Sequence, residues 1–156
     1  ISKNRLEKFD AIVYVFNDPF NAVCSLYRRK WAKIQSKKLS GLGKDLPRHP
    51  DKYFDIVSLQ NDELFGIKNH FVDWGDYKYS TPIFFLDMGN LNQSIERLAG
   101  ILSRDDIEVI KSNWSPKNRP EYIVLKEKYP LAVTVYSNIY QEMQNLSDSQ
   151  LIRLSD

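Results

Sequence analysis

Residues able to do chemistry are few in this chain, and most stand alone. Asn17, Asp18 and Pro19 follow a short apolar run, and Ser25 comes two helical turns later. An Asn and a Ser so placed offer hydrogen bonds to an anion. The plain role of Asn17 is a turn residue, because its side chain readily bonds its own backbone. The plain role of Ser25 is a small packing residue on a helix. Arg28, Arg29, Lys30, Lys33, Lys37 and Lys38 form a basic run, followed by Lys44 and Arg48. With Tyr27 and Trp31 interleaved, such a run suits a nucleic-acid backbone or a polyanionic acceptor such as an acidic glycan. A solvated helix face is the commoner explanation. Helical spacing puts Tyr27, Trp31 and Ile34 on the core stripe, which argues against stacking on bases.

The other reactive types give less. His49 precedes Pro50 in a polar loop and reads as a surface residue. His70 stands beside Phe71 and reads as half-buried. The two share no metal-ligand spacing, and Asp73, Asp76 and Asp87 are scattered, so no metal site is expected. The single cysteine, Cys24, excludes an internal disulfide framework and a cysteine zinc cluster. On the apolar stripe it reads as a small buried hydrophobe. Ser40-Gly41-Leu42-Gly43-Lys44 is glycine-rich and basic. No buried strand leads into it, so it lacks the form of a phosphate loop. No catalytic residue can be assigned.

Composition narrows the class. Lys+Arg total 22 and Asp+Glu 20, a net charge of +2. A dedicated nucleic-acid binder carries a stronger basic excess, so nucleic acid is not the expected partner. Hydrophobic residues at 42% and aromatics at 13% supply a core and exclude a disordered chain. No apolar run reaches the length of a membrane span, and no signal-peptide pattern is present. The chain begins at Ile1 and not at Met, so a portion of a longer protein is as much to be expected as a complete one. The compartment stays open, with the cytoplasm favoured.

The elements that must position these residues alternate between strand and helix. Ala11–Phe16 is short, β-branched and aromatic, and reads as a strand buried on both faces. Asp18 is a good N-cap and Pro19 suits the first helical position, so a helix over 20–36 follows, ending where glycines begin. His49-Pro50-Asp51 opens a second helix carrying Tyr53, Phe54 and Val57. Asn61-Asp62 caps a third, carrying Leu64, Phe65, Lys68, Phe71 and Val72. Thr81-Pro82 precedes a second buried strand, Ile83–Leu86. Asn90 caps a helix with Leu91, Ile95, Leu98, Ala99 and Leu102 on one stripe. Ser115–Pro120 is a loop, Glu121–Lys128 a short helix, and Val133–Met143 a final helix that Leu146–Leu154 extends. Two strands alone make a poor sheet. A mostly helical domain is one solution; two strands of a larger sheet is the favoured one.

The stretch from Tyr14 to Tyr27 resembles the nucleotide 3′-phosphate-binding segment of the P-loop sulfotransferase family. Tyr14, Val15, Pro19, Ser25 and Tyr27 match that family's pattern, and Asp18 is an accepted variant. The family's phosphate-binding Arg falls on Asn17 and its Asp on Asn21. Downstream, Ile83–Leu91 looks like the family's late strand leading into a helix. The resemblance implies an α/β fold, helix-rich, with part of a parallel sheet flanked by helices. It implies 3′-phosphoadenylyl sulfate as cofactor, with Asn17 and Ser25 lining the 3′-phosphate site and Lys117 and Arg119 reaching the same phosphate. It implies sulfuryl transfer to a hydroxyl or amine of a small-molecule or glycan acceptor, given an upstream phosphate loop and general base. The residues 1–156 then form a single domain or the C-terminal portion of a larger sulfotransferase-like domain. The alternative is a non-catalytic binding or structural subunit with a degenerate form of the same fold and a protein partner. A small nucleic-acid-binding domain using residues 28–48 is the third possibility.

Overall fold

The structure, a computed structural model, describes residues 9–40, 46–76, 81–115 and 119–151, without the side chains of 40 and 149–151. The glycine-rich stretch 41–44, Lys117 and the tail beyond Leu151 lie outside the described residues. In chain order the elements are β1 (Ile12–Phe16), α1 (Pro19–Arg28), α2 (Ala32–Ser40), α3 (Pro50–Gln60) and α4 (Ile67–Gly75). Then come β2 (Ile83–Asp87), α5 (Leu91–Ser94), a 3₁₀ turn (Ile95–Leu98), α6 (Arg104–Asn113), α7 (Pro120–Lys128) and α8 (Pro130–Leu151). The chain is helix-rich with a small parallel sheet, the coarse α/β class expected. It divides into two compact units, Ile1–Asn17 with Tyr77–Lys117, and Asp18–Asp76 with Asn118–Asp156.

In the sheet unit β1 and β2 pair in parallel, with Ile12 opposite Ile83 and Phe16 opposite Asp87. Parallel strands need a long crossover, and residues 18–76 supply it. Pro82 has no N–H to lose at this position. Its carbonyl accepts from Ile12 N–H at 2.9 Å, and Met88 N–H continues the ladder to Phe16 O at 2.8 Å. Phe85, Leu86 and Asp87 are buried, so the end of β2 is covered on both faces. β1 departs from the expectation. Val13 and Val15 share one face and are 39% and 56% exposed. Among the described residues the sheet has two strands, and this face of β1 stays partly open to solvent.

The core of the sheet unit is Leu86, Leu91, Ile95, Leu98 and Ile107. The apolar stripe after Asn90 is therefore buried as expected, but not as one helix. The Asn90 side chain donates to Gln93 and caps no backbone N–H, and α5 gives way after one turn to tighter 3₁₀ bonding. The next helix, α6, is absent from the sequence reading. Ser103 and Asp106 form a reciprocal capping box at its start, and Ile107 seats it on the core.

The helical unit is organised by α8, which packs against α1, α3, α4 and α7. Its interior is aromatic. Phe20 of α1 stacks on Phe54 of α3 with centroids 4.6 Å apart, and Tyr136 of α8 meets Phe20 edge-on at 5.9 Å. Tyr53 and Tyr136 join their hydroxyls by a buried hydrogen bond, and Leu64 N–H donates to the Tyr53 oxygen at 3.4 Å. The segment 61–66 is a turn and not the start of a helix. Glu63 shapes it: its buried carboxylate accepts from Phe65 N–H at 2.7 Å and Gly66 N–H at 2.9 Å. Gly66 sits at φ 75°, which a residue with a Cβ rarely adopts, and α4 begins at the next residue.

The expected helix over 20–36 is two helices. α1 closes in a Schellman motif: Trp31 N–H bonds Leu26 O at 2.8 Å and Lys30 N–H bonds Tyr27 O at 2.9 Å. Lys30 occupies the left-handed position at φ 60°, where glycine is the ordinary choice. The break resets the helical phase. Tyr27 stays inside with its hydroxyl on Pro47 O at 3.0 Å. Trp31 and Ile34, expected on the core stripe, are 48% and 55% exposed. Ala32 and Ser36 are buried in their stead.

Two measurements check these assignments. Lys30→Gly relieves the left-handed strain and is expected to raise the unfolding free energy measured by urea titration by about 0.5 kcal/mol after the extra unfolded-state entropy of glycine is subtracted. Lys30→Val at the same position is expected to lower it. Tyr53→Phe strands both Leu64 N–H and the Tyr136 hydroxyl and costs about 2 kcal/mol, whereas Tyr136→Phe costs about 1 kcal/mol. The double variant should lose less than the sum of the two, because the hydroxyls act on each other.

Candidate functional site

The candidate residues divide between the units. Asn17 is half-buried at the carboxyl end of β1, in the sheet unit. The carboxyl ends of parallel strands are where α/β proteins bind ligands. Its register neighbourhood includes Asp87, a buried carboxylate that accepts from Gly89 N–H at 2.8 Å while its carbonyl accepts from Ser94 Oγ at 2.8 Å. Ser25 and Arg119 belong to the helical unit. Lys117 lies outside the described residues.

The helical unit builds its polar site on α1. Asp18 caps the helix, one carboxylate oxygen accepting from Phe20 N–H at 2.9 Å and Asn21 N–H at 3.4 Å. Pro19 stands at the first helical position, where a missing N–H costs nothing. The second Asp18 oxygen accepts from Lys126 Nζ at 2.8 Å, and the same ammonium lies 5.6 Å from the Phe20 ring centroid. Both partners are partly exposed, so the pair is worth at most about 1 kcal/mol. At the other end of α1, Arg28 Nε donates to the Tyr122 hydroxyl at 3.4 Å.

These two links place α7 alongside the outer face of α1. At 100° per residue Ser25 falls within about 20° of Asp18 and 60° of Arg28 around the helix. Phe20, Val23 and Cys24 take the opposite, buried side. Ser25 is half-buried, and its hydroxyl makes no hydrogen bond among the described residues. An anion reaching it would meet a hydroxyl between Arg28 and Lys126. Lys126 is already neutralised by Asp18, so Arg28 is the cation with charge to give. Arg119 is the N-cap residue of α7, half-buried, with its carbonyl accepting from Tyr122 N–H at 2.9 Å. It puts a positive charge at the positive end of the α7 dipole. No hydrogen bond joins Ser25 to Arg119 among the described residues.

Tyr122 and Lys126 are the members that sequence reasoning left out, and Arg28 entered it only as part of the basic run. Tyr122 and Lys126 stand at i and i+4 in the short helix 121–128, so their shared face was legible. Their partners on α1, far away in sequence, were not.

Nucleophilic chemistry finds no support in this unit. Burial, with the Asp18 charge adding to it, pushes the Cys24 thiol up to about 12, so it stays protonated and unreactive. Burial likewise raises the hydroxyls of Tyr53 and Tyr136 far above the ordinary tyrosine value, so both act as neutral hydrogen-bonding groups. A shallow cavity of about 260 Å³ lies beside the start of α4. Asp62, Glu63 and Glu142 there outnumber Lys68, which is bound to Glu142 at 2.6 Å, so the cavity repels phosphate. Among the described residues no three of His, Cys, Asp or Glu gather to hold a metal ion.

The histidines are as expected. His49 is exposed and precedes α3 without capping it. His70 is half-buried, and its Nε2 accepts from Trp74 Nε1 at 3.3 Å. Burial holds its pKa below the ordinary 6.5, and nearby Asp73 opposes this in part. A depressed pKa means the fold prefers the neutral ring. The corresponding stability is present above pH 6.5 and is lost as pH falls through the folded value. His70→Gln keeps an acceptor without a proton to gain. It is expected to flatten the acid limb of a stability–pH profile measured by urea unfolding.

No protein-family model, curated protein or solved structure matches this chain.

Proposed function

We propose that the chain is a sulfotransferase-like protein that contributes the 3′-phosphate side of a 3′-phosphoadenylyl sulfate site. In this reading the sulfuryl group passes to a hydroxyl or amine acceptor when a phosphate loop and a general base are supplied, since no stretch of residues 1–156 has the form of that loop. The observation that carries the reading is the polar face of α1. Within the helical unit, α1 starts with Asp18 as cap and Pro19 at its first position, and Ser25 keeps a half-buried hydroxyl with no hydrogen-bond partner among the described residues. Arg28 and Arg119 support it as cations of the same helical unit.

The placement of Asn17 favours a second reading, a non-catalytic binding or structural subunit. A neutral amide replaces a bidentate, permanently charged contact, and that loss weakens any phosphate site.

Calorimetric titration with adenosine 3′,5′-bisphosphate, against adenosine 5′-monophosphate as control, separates the two. The first reading expects a preference for the bisphosphate that Ser25→Ala reduces severalfold and Asn17→Arg strengthens. Equal binding of both nucleotides, or binding of neither, overturns it and leaves the non-catalytic reading.

A further inference from the structure

The basic run at the end of α1, in the turn after it and along α2 has members beyond Arg28 that the sulfotransferase-like reading does not use. From Pro19 to Lys44 the chain contains no Asp or Glu, although its overall charge is only +2. Arg28, Arg29, Lys30, Lys33, Lys37 and Lys38 are all exposed. Among the described residues none of them is in an ion pair, and Arg28 bonds only the neutral Tyr122 hydroxyl. Two large apolar side chains stand among these cations. Trp31 and Ile34 are about half exposed and one turn apart.

Helical geometry explains the exposure. Ala32 and Ser36 turn inward, and α2 packs against α4. At 100° per residue the outward arc runs through Lys33 and Lys37, then Ile34, then Lys38 and Trp31. Ile34 thus lies between Lys37 and Lys38, and Trp31, the residue just before the helix, lies beyond Lys38. Arg29 adds its guanidinium 5.4 Å from the Trp31 ring centroid.

We propose that α2 and the turn before it dock on the surface of an anionic lipid bilayer, Trp31 and Ile34 entering the headgroup boundary and Arg29, Lys30, Lys33, Lys37 and Lys38 pairing with acidic lipid headgroups. A helix with cations around an exposed aliphatic residue and a Trp beside them has the chemistry of interfacial binding. Clusters of this size on an amphipathic helix match the negative surface potential of acidic leaflets, and the long Lys and Arg stems let the charges stay at headgroup level while Trp31 and Ile34 sink. A nucleic acid fits less well. Single-stranded binding uses successive aromatic platforms, and here there is one, beside an isoleucine that no base or phosphate would engage. The surface is a peripheral contact. Among the described residues no helix is long and apolar enough to cross a membrane.

The test is co-sedimentation of the whole chain with phosphatidylcholine vesicles, with and without phosphatidylserine, and no nucleotide present. Binding is expected only to the acidic vesicles, with a blue shift of Trp emission that Trp31→Phe removes. Lys33→Glu/Lys37→Glu, on the exposed edge, should weaken partitioning at least tenfold. Trp31→Ala/Ile34→Ala should do the same with all the charges in place. Circular dichroism confirms that each variant folds. Absence of binding to acidic vesicles overturns the proposal, as does equal binding to neutral ones. So does full binding by Trp31→Ala/Ile34→Ala, which would mark a generic polyanion contact. Displacement from vesicles by a single-stranded oligonucleotide that binds tighter overturns it in favour of nucleic acid.

Discussion

The helical unit turns on one buried contact between two tyrosine hydroxyls. Tyr53 on α3 and Tyr136 on α8 face each other in the interior, both fully buried. Each hydroxyl would be costly to bury alone, and together they satisfy one another. The Tyr53 oxygen also receives Leu64 N–H, which holds the turn between α3 and α4. The adjacent Glu63 carboxylate then collects the backbone N–H groups that open α4. Around this polar thread the rings of Tyr27, Phe54 and Phe65 pack against Tyr53 at centroid distances of 5.3–5.4 Å. Three helices are thereby set in one register, and α1 is seated on them through Phe20.

What α1 presents on its other side follows from that seating. With Phe20, Val23 and Cys24 committed to the core, Asp18 and Ser25 must point outward, towards the side that α7 covers. The Asp18 carboxylate serves two ends at once: it caps its own helix and holds Lys126. A cap that is already an anion leaves the N-terminus of α1 little attraction for a phosphate of its own. Any anion chemistry on this helix therefore belongs to Ser25, Arg28 and the neighbouring Arg119.

The left-handed Lys30 decides what the next helix shows to solvent. A continuous helix would carry Trp31 and Ile34 into the core beside Tyr27. The Schellman turn rotates them out and brings Ala32 and Ser36 in. Two apolar residues that the spacing assigns to the interior come to stand among the cations of the surface. On its buried side α2 packs against α4.

Local signals were enough for much of this protein. The β-branched run, the Asp-Pro cap and the glycine-free spacing that follows identify β1 and α1, because strand propensity and capping act over a few residues. The second strand after Pro82, the apolar stripe from Leu91 and the tyrosine-bearing final helix were legible for the same reason. The capping box at Ser103 was local too and identifies α6 once looked for. Other features are set by residues far apart. No short-range rule pairs Tyr53 with Tyr136, 83 positions away, or brings Lys126 to Asp18 across 108. Nor does a lysine announce a left-handed turn, a position that glycine normally marks. The sequence by itself determined the strand–turn–helix unit and the acid-free basic run, since both depend on neighbouring residues. Tertiary packing alone decided which faces those elements bury, and so which of Ser25, Trp31 and Ile34 meets solvent. A helical wheel holds only as long as the helix continues, and it was the aromatic core that fixed the orientation of each piece.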